Sequence, residues 1–107
     1  MAVSYEVLRA QIKACLSSWG MPEDNAEQSA EVLAWADLHG IDSHGISHMT
    51  VYHERWKKGR LHLAAKPKLV KETPVSALID GNGGLGPPTS IFAMKIAIEK
   101  AKKAGMA

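Results

Sequence analysis

Apolar residues recur every three or four positions through most of this chain, and the recurrence breaks at glycines. Leu8, Ile12, Cys15, Leu16 and Trp19 share one helical face, with Ser4 placed to cap the first turn and Gly20 to close the last. A first helix is therefore expected over Tyr5 to Trp19. Pro22 suits the opening turn of a second helix, where Glu23 and Asp24 meet the positive end of the dipole. Ala26, Ala30, Leu33, Ala34 and Leu38 form its apolar side, and Gly40 ends it. A third helix is expected from Ser43, with Ile46, Met49, Tyr52 and Trp56 in line and Lys57-Lys58-Gly59 at its end.

The period then changes. Pro67 and Pro74 bracket Lys68 to Thr73, and Val75 to Ile79 is a short apolar run stopped by Asp80-Gly81, which predicts two short strands. A last helix is expected over Thr89 to Ala104, with Ile91, Met94, Ile98 and Ala101 on one face, Phe92 and Ile96 widening it, and Gly105 as its cap. The pattern predicts an α+β fold: a three-helix cluster over residues 4–60, then a small sheet and a packing helix over residues 61–107. Strand, loop, helix and Gly105-Met106-Ala107 read as the approach to a further strand, so the 107 residues are expected to form one incomplete domain of a larger fold.

Composition narrows the classes. Thirteen Lys and Arg against eleven Asp and Glu give a net charge of +2, and the basic residues are scattered, so nothing implies a nucleic-acid partner. One cysteine, Cys15, excludes a disulfide framework within the chain, and its place on an apolar stripe predicts a buried thiol. No apolar run approaches the roughly 20 residues that span a bilayer, and a cytoplasmic location is expected. Trp19, Tyr52 and Trp56 read as core, whereas Trp35 lies off its helix's main stripe, a position suited to contact with another segment or chain.

The reactive residues concentrate between His39 and His48. At their centre stands Asp42-Ser43-His44-Gly45, where Asp42 or Ser43 could accept from the free amides of the third helix and leave His44 in its opening turn. There the helix dipole disfavours protonation, and a neutral imidazole can act as general base toward an alcohol. A helix cap followed by a surface histidine is the plainer alternative. His44 and His48 also stand four apart, as in helical zinc sites, with His39 or His53 as the only nearby third ligand; no metal is expected. Gly81-Asn82-Gly83-Gly84-Leu85-Gly86 satisfies the spacing of a dinucleotide-binding turn, but Pro87-Pro88 removes two amide donors that such a turn would aim at phosphate.

The run Ala36-Asp37-Leu38-His39-Gly40-Ile41-Asp42-Ser43-His44-Gly45-Ile46, followed by Tyr52, Gly59, Pro67 and Leu78-Ile79-Asp80-Gly81, resembles the N-terminal part of the malate/L-lactate dehydrogenase family. This is the type-2, non-Rossmann group of 2-hydroxyacid oxidoreductases. The resemblance implies hydride transfer between NAD or NADP and a 2-hydroxy or 2-oxo acid, with His44 as acid/base and Ser43 beside it as a substrate or cofactor contact. It implies a substrate contact at His48, where many members carry an arginine suited to gripping a carboxylate. It assigns no cofactor-binding residue within this chain, and it implies a homodimer. Family members are much longer, so the 107 residues alone are expected to lack most of the cofactor site and to be inactive. The reading of a different class is a truncated, non-catalytic interaction module.

Overall fold

The computed structural model describes residues 2–107. Its order is α1 (Tyr5–Ser18), α2 (Glu23–Leu38), a 3-10 turn (Asp42–His44), α3 (His48–Lys57), β1 (Lys68–Thr73), β2 (Ser76–Asp80) and α4 (Gly86–Ala104). The α+β class, three helices before a small sheet and a packing helix, is as the periodicity predicts.

Local chemistry explains the helix ends. Ser4 Oγ accepts from the Val7 amide at 3.2 Å, capping α1. The first three helices close alike: Gly20, Gly40 and Gly59 take positive φ, and the amide after each glycine reaches back to the carbonyl five residues earlier. Pro22 is the N-cap of α2 rather than a member of its first turn.

Two helices start elsewhere than the sequence predicts. α4 begins at Gly86, three residues early, because Pro87 and Pro88 fall in its first turn, where amides have no intrahelical acceptor and a missing N–H costs nothing. α3 begins at His48 rather than near Ser43. Gly45 has φ −100° and ψ −139°, outside helical geometry, so residues 42–44 form a separate turn that the helix cannot incorporate.

The core lies between α1 and α2. Ile12 and Leu16 meet Ala26, Ala30, Leu33 and Ala34, small side chains that let the two helices approach closely, and Met21, Leu63 and Leu85 close the cluster. Tyr5, Leu8, Trp19, Met49, Tyr52 and Trp56 pack half-buried against it. Arg9 pairs with Glu6 at 3.0 Å and with Glu27, and Lys13 pairs with Glu27 at 2.8 Å, clasping the same two helices at their surface.

β1 and β2 are an antiparallel hairpin turning at Pro74-Val75, with Val70 as the extra residue of a bulge. α4 lies along β2 and is tied to β1 by Lys100. The sheet has only two strands, too narrow to cover the helix, so the expected apolar face of α4 is not buried: Met94 and Ile98 are exposed. Cys15 is exposed too, because it lies at the edge of the stripe, in a groove between α1 and α3 instead of between α1 and α2. No helix among the described residues is long and apolar enough to cross a membrane.

Candidate active site

The segment joining α2 to α3 gathers the candidate residues at one end of the helical part. α2 ends at Leu38, and Gly40 and Ile41 turn the chain by donating to the carbonyls of Asp37 and Ala36 at 3.2 and 2.8 Å. The 3-10 turn then presents Asp42, Ser43 and His44 in exposed positions. Ser47 Oγ donates to the Asp42 carbonyl at 2.8 Å and closes the loop onto α3.

His44 is held by its neighbour. Ser43 Oγ lies 2.8 Å from His44 Nδ1, so one ring nitrogen is engaged, while Nε2 has no bond among the described residues and the residue is exposed. With Nδ1 carrying the proton and donating to Ser43, Nε2 has the free lone pair of a base; with the tautomer reversed, Nε2 is a donor. The His44 ring stands 5.3 Å from that of His48, which stands 5.5 Å from Tyr52. Residues 44, 48 and 52 thus form a column of three rings at one-turn spacing. Burial pushes the Tyr52 hydroxyl above its usual value, against a smaller opposing effect of Arg55, so it stays a neutral donor through the physiological range.

The structure corrects two details of the sequence reading. His44 precedes α3, and it is His48 that occupies the first helical turn, so the dipole argument made for His44 does not apply to it. Neither Asp42 nor Ser43 caps α3 with its side chain. The Ile46 amide is instead taken by Asp37 Oδ2 at 2.7 Å, from across the turn. Asp37 thus has a role its place in the sequence does not state; the available signal was a carboxylate in the last turn of a helix, where the dipole disfavours it.

The other candidate ligands are engaged elsewhere. His39 stacks on Trp35 with centroids 3.9 Å apart and its Nδ1 lies 2.8 Å from the Trp35 carbonyl, while His53 lies against Trp19 and Trp56. Neither ring joins His44 and His48. Trp35 is half exposed, consistent with its place off the main stripe.

The glycine-rich loop is a connector. Asp80 Oδ1 accepts from the Asn82 amide at 2.8 Å, Asn82 Nδ2 donates to the Lys66 carbonyl at 2.7 Å, and the His62 amide donates to the Gly83 carbonyl at 2.8 Å. The last two bonds tie the loop to the 62–66 segment. The loop leads from an antiparallel hairpin, not a parallel βαβ unit, into a helix whose two opening prolines lack the amide donors that a dinucleotide-binding turn supplies there.

Comparison with known proteins gives a consistent match. The family model for malate/L-lactate dehydrogenase matches residues 3–107. Malate dehydrogenase of Pyrococcus abyssi is 41% identical over 91 residues, 85% of this chain and 25% of that protein. L-sulfolactate dehydrogenase of Methanocaldococcus jannaschii is 42% identical over 91 residues, again 85% of this chain and 26% of that protein. The crystal structure of malate dehydrogenase from Entamoeba histolytica superposes with a TM-score of 0.91 at 40% identity, over 97% of this chain and 29% of that one. The chain therefore spans less than a third of the length of these relatives.

Proposed function

Because this chain belongs to the malate/L-lactate dehydrogenase family, we propose that it supplies the acid/base side of an oxidoreductase that interconverts a 2-hydroxy acid and its 2-oxo acid with NAD or NADP. The observation that carries the reading is the Ser43–His44 pair: a histidine held through Nδ1 on an exposed turn, with no bond to Nε2 among the described residues.

The proton is the part of the chemistry these residues perform. In the oxidative direction His44 Nε2 takes the proton of the substrate's hydroxyl as the hydrogen on C2 leaves with its electron pair and the carbonyl forms. In the reductive direction the protonated ring returns it to the carbonyl oxygen. Ser43 Oγ, which can donate or accept, holds Nδ1 in either tautomer and so orients the ring for both directions. His48, one turn along the column, is the proposed contact for the substrate's carboxylate side. The loop with the right spacing opens into a helix whose first turn holds Pro87 and Pro88 and so lacks two of the amide donors a phosphate site uses, and no residue here is assigned to the cofactor. A homodimer is the proposed assembly, supported by the large exposed side chains Trp35, Leu38 and Met94. The family match supports the dehydrogenase reading over that of an interaction module.

His44→Ala in the active enzyme is expected to lower kcat by about 10²–10⁴-fold, the span of a lost general acid/base, with an unchanged circular-dichroism spectrum. Steady-state kinetics decide it; turnover within about threefold of the parent would remove His44 from the reaction.

A further inference from the structure

We propose that Asp37 is the positioning residue of the histidine turn, its carboxylate setting the direction in which His44 presents Nε2. The proposal rests on the reading of His44 as the acid/base. Asp37 stands one residue from the end of α2, where the helix dipole works against a negative charge. Among the described residues no basic side chain forms an ion pair with it. Its charge is met instead by a backbone amide: Ile46 N–H donates to Oδ2 at 2.7 Å.

The second observation is steric and concerns Gly45, the residue between His44 and Ile46. Gly45 is buried, and a Cβ built on it would lie 2.0–2.3 Å from the carboxylate atoms of Asp37. Its φ is not in the left-handed region, so the observation that ties this glycine to Asp37 is the contact: a Cβ here would have to displace the carboxylate. The carboxylate is thus seated over the peptide that follows His44 and hydrogen-bonded to the next amide. Through this seat the last turn of α2, which is anchored in the core, fixes the orientation of the 42–46 turn. Without it the turn keeps its local bonds, His44 N–H to the Ile41 carbonyl at 3.0 Å and Ser47 Oγ to the Asp42 carbonyl at 2.8 Å, but loses its side-chain tie to α2, and a reacting group displaced by about 1 Å can lose on the order of 10²-fold in rate.

Charge and geometry are separated by two substitutions. Asp37→Asn removes the charge but keeps an oxygen able to accept from Ile46; Asp37→Glu keeps the charge but pushes the oxygens one methylene further, into Gly45. In the 107-residue chain, amide exchange at Ile46 and the His44 tautomer, read from long-range ¹H–¹⁵N correlations, are expected to match the parent in Asp37→Asn. In Asp37→Glu, Ile46 exchange is expected to rise at least about tenfold and the His44 tautomers to mix. In the active enzyme Asp37→Glu is expected to lower kcat by about 10–100-fold with KM changed less than about threefold, and Asp37→Asn to retain most of the rate. Parent-like exchange and tautomer in Asp37→Glu, or equal damage in both variants, would overturn the proposal. The exchange and tautomer measurements do not depend on turnover, so they decide the role of Asp37 even if His44→Ala shows that the ring is not the acid/base.

Discussion

Tyr52 shows how one side chain serves both the core and the site. Its ring packs half-buried against the α1–α2 cluster and meets His48 on its other side. Burial raises the pKa of its hydroxyl above the ordinary value of 10.0. The folded state therefore holds this proton at a pH where the unfolded chain has released it, so Tyr52 favours folding fully below pH 10 and progressively less as pH rises from there through the folded-state pKa. Stability measured by urea unfolding between pH 8 and about 11 should fall more steeply in the parent than in Tyr52→Phe; parallel curves would contradict the assignment. The sequence showed Tyr52 only as a core residue, because a helical stripe records burial and not what stands at the far end of a ring. The Asp-Ser-His-Gly run was legible as a candidate site, and the partner of His44 proved to be Ser43. Asp37 was not legible, since its role depends on where a turn seven to nine residues later comes to rest.

At the level of elements, the ends were written in the glycines and the interiors in the apolar period, which is why four helices and a hairpin could be read from the chain. The start of α3 could not, because Gly45 breaks the helical path with its own backbone angles, and the amide that follows it is bonded to Asp37, nine residues earlier. The burial of α4 could not either: its stripe of Ile91, Met94 and Ile98 has helical spacing, but spacing does not say how wide a surface will meet it. What does hold α4 to the hairpin is Lys100, whose ammonium donates to Glu72 Oε2 and to the Thr73 carbonyl, both at 2.7 Å, with its side chain only 15% exposed. Lys102 pairs with Glu99 in the open, at 68% exposure. Lys100→Met is expected to cost about 1 kcal/mol, since it removes two short charge-assisted bonds between α4 and the hairpin, and Lys102→Met less than about 0.5 kcal/mol. Urea midpoints of the two variants check the order; equal shifts would contradict it.

The molecule as a whole is elongated. Its radius of gyration is 15.3 Å and its extents 48 × 31 × 22 Å, against roughly 13 Å for a compact chain of about 100 residues. Val32, Trp35, Leu38, Leu78, Met94 and Ile98 are all exposed. The 107-residue chain by itself is therefore expected to bind an apolar dye and to show a sedimentation coefficient that rises with concentration. A concentration-independent monomer without dye binding would contradict this.

One helix links the largest scale to the smallest. The alanines of α2 that seat it on α1 and the aspartate that reaches the histidine turn belong to the same stiff rod. On the proposed roles of Asp37 and His44, heritable changes that tighten or loosen the packing of that rod would also move the pivot of the turn, and heat tolerance and reaction rate would be linked traits. A lineage adapting to a new temperature would have to adjust both together.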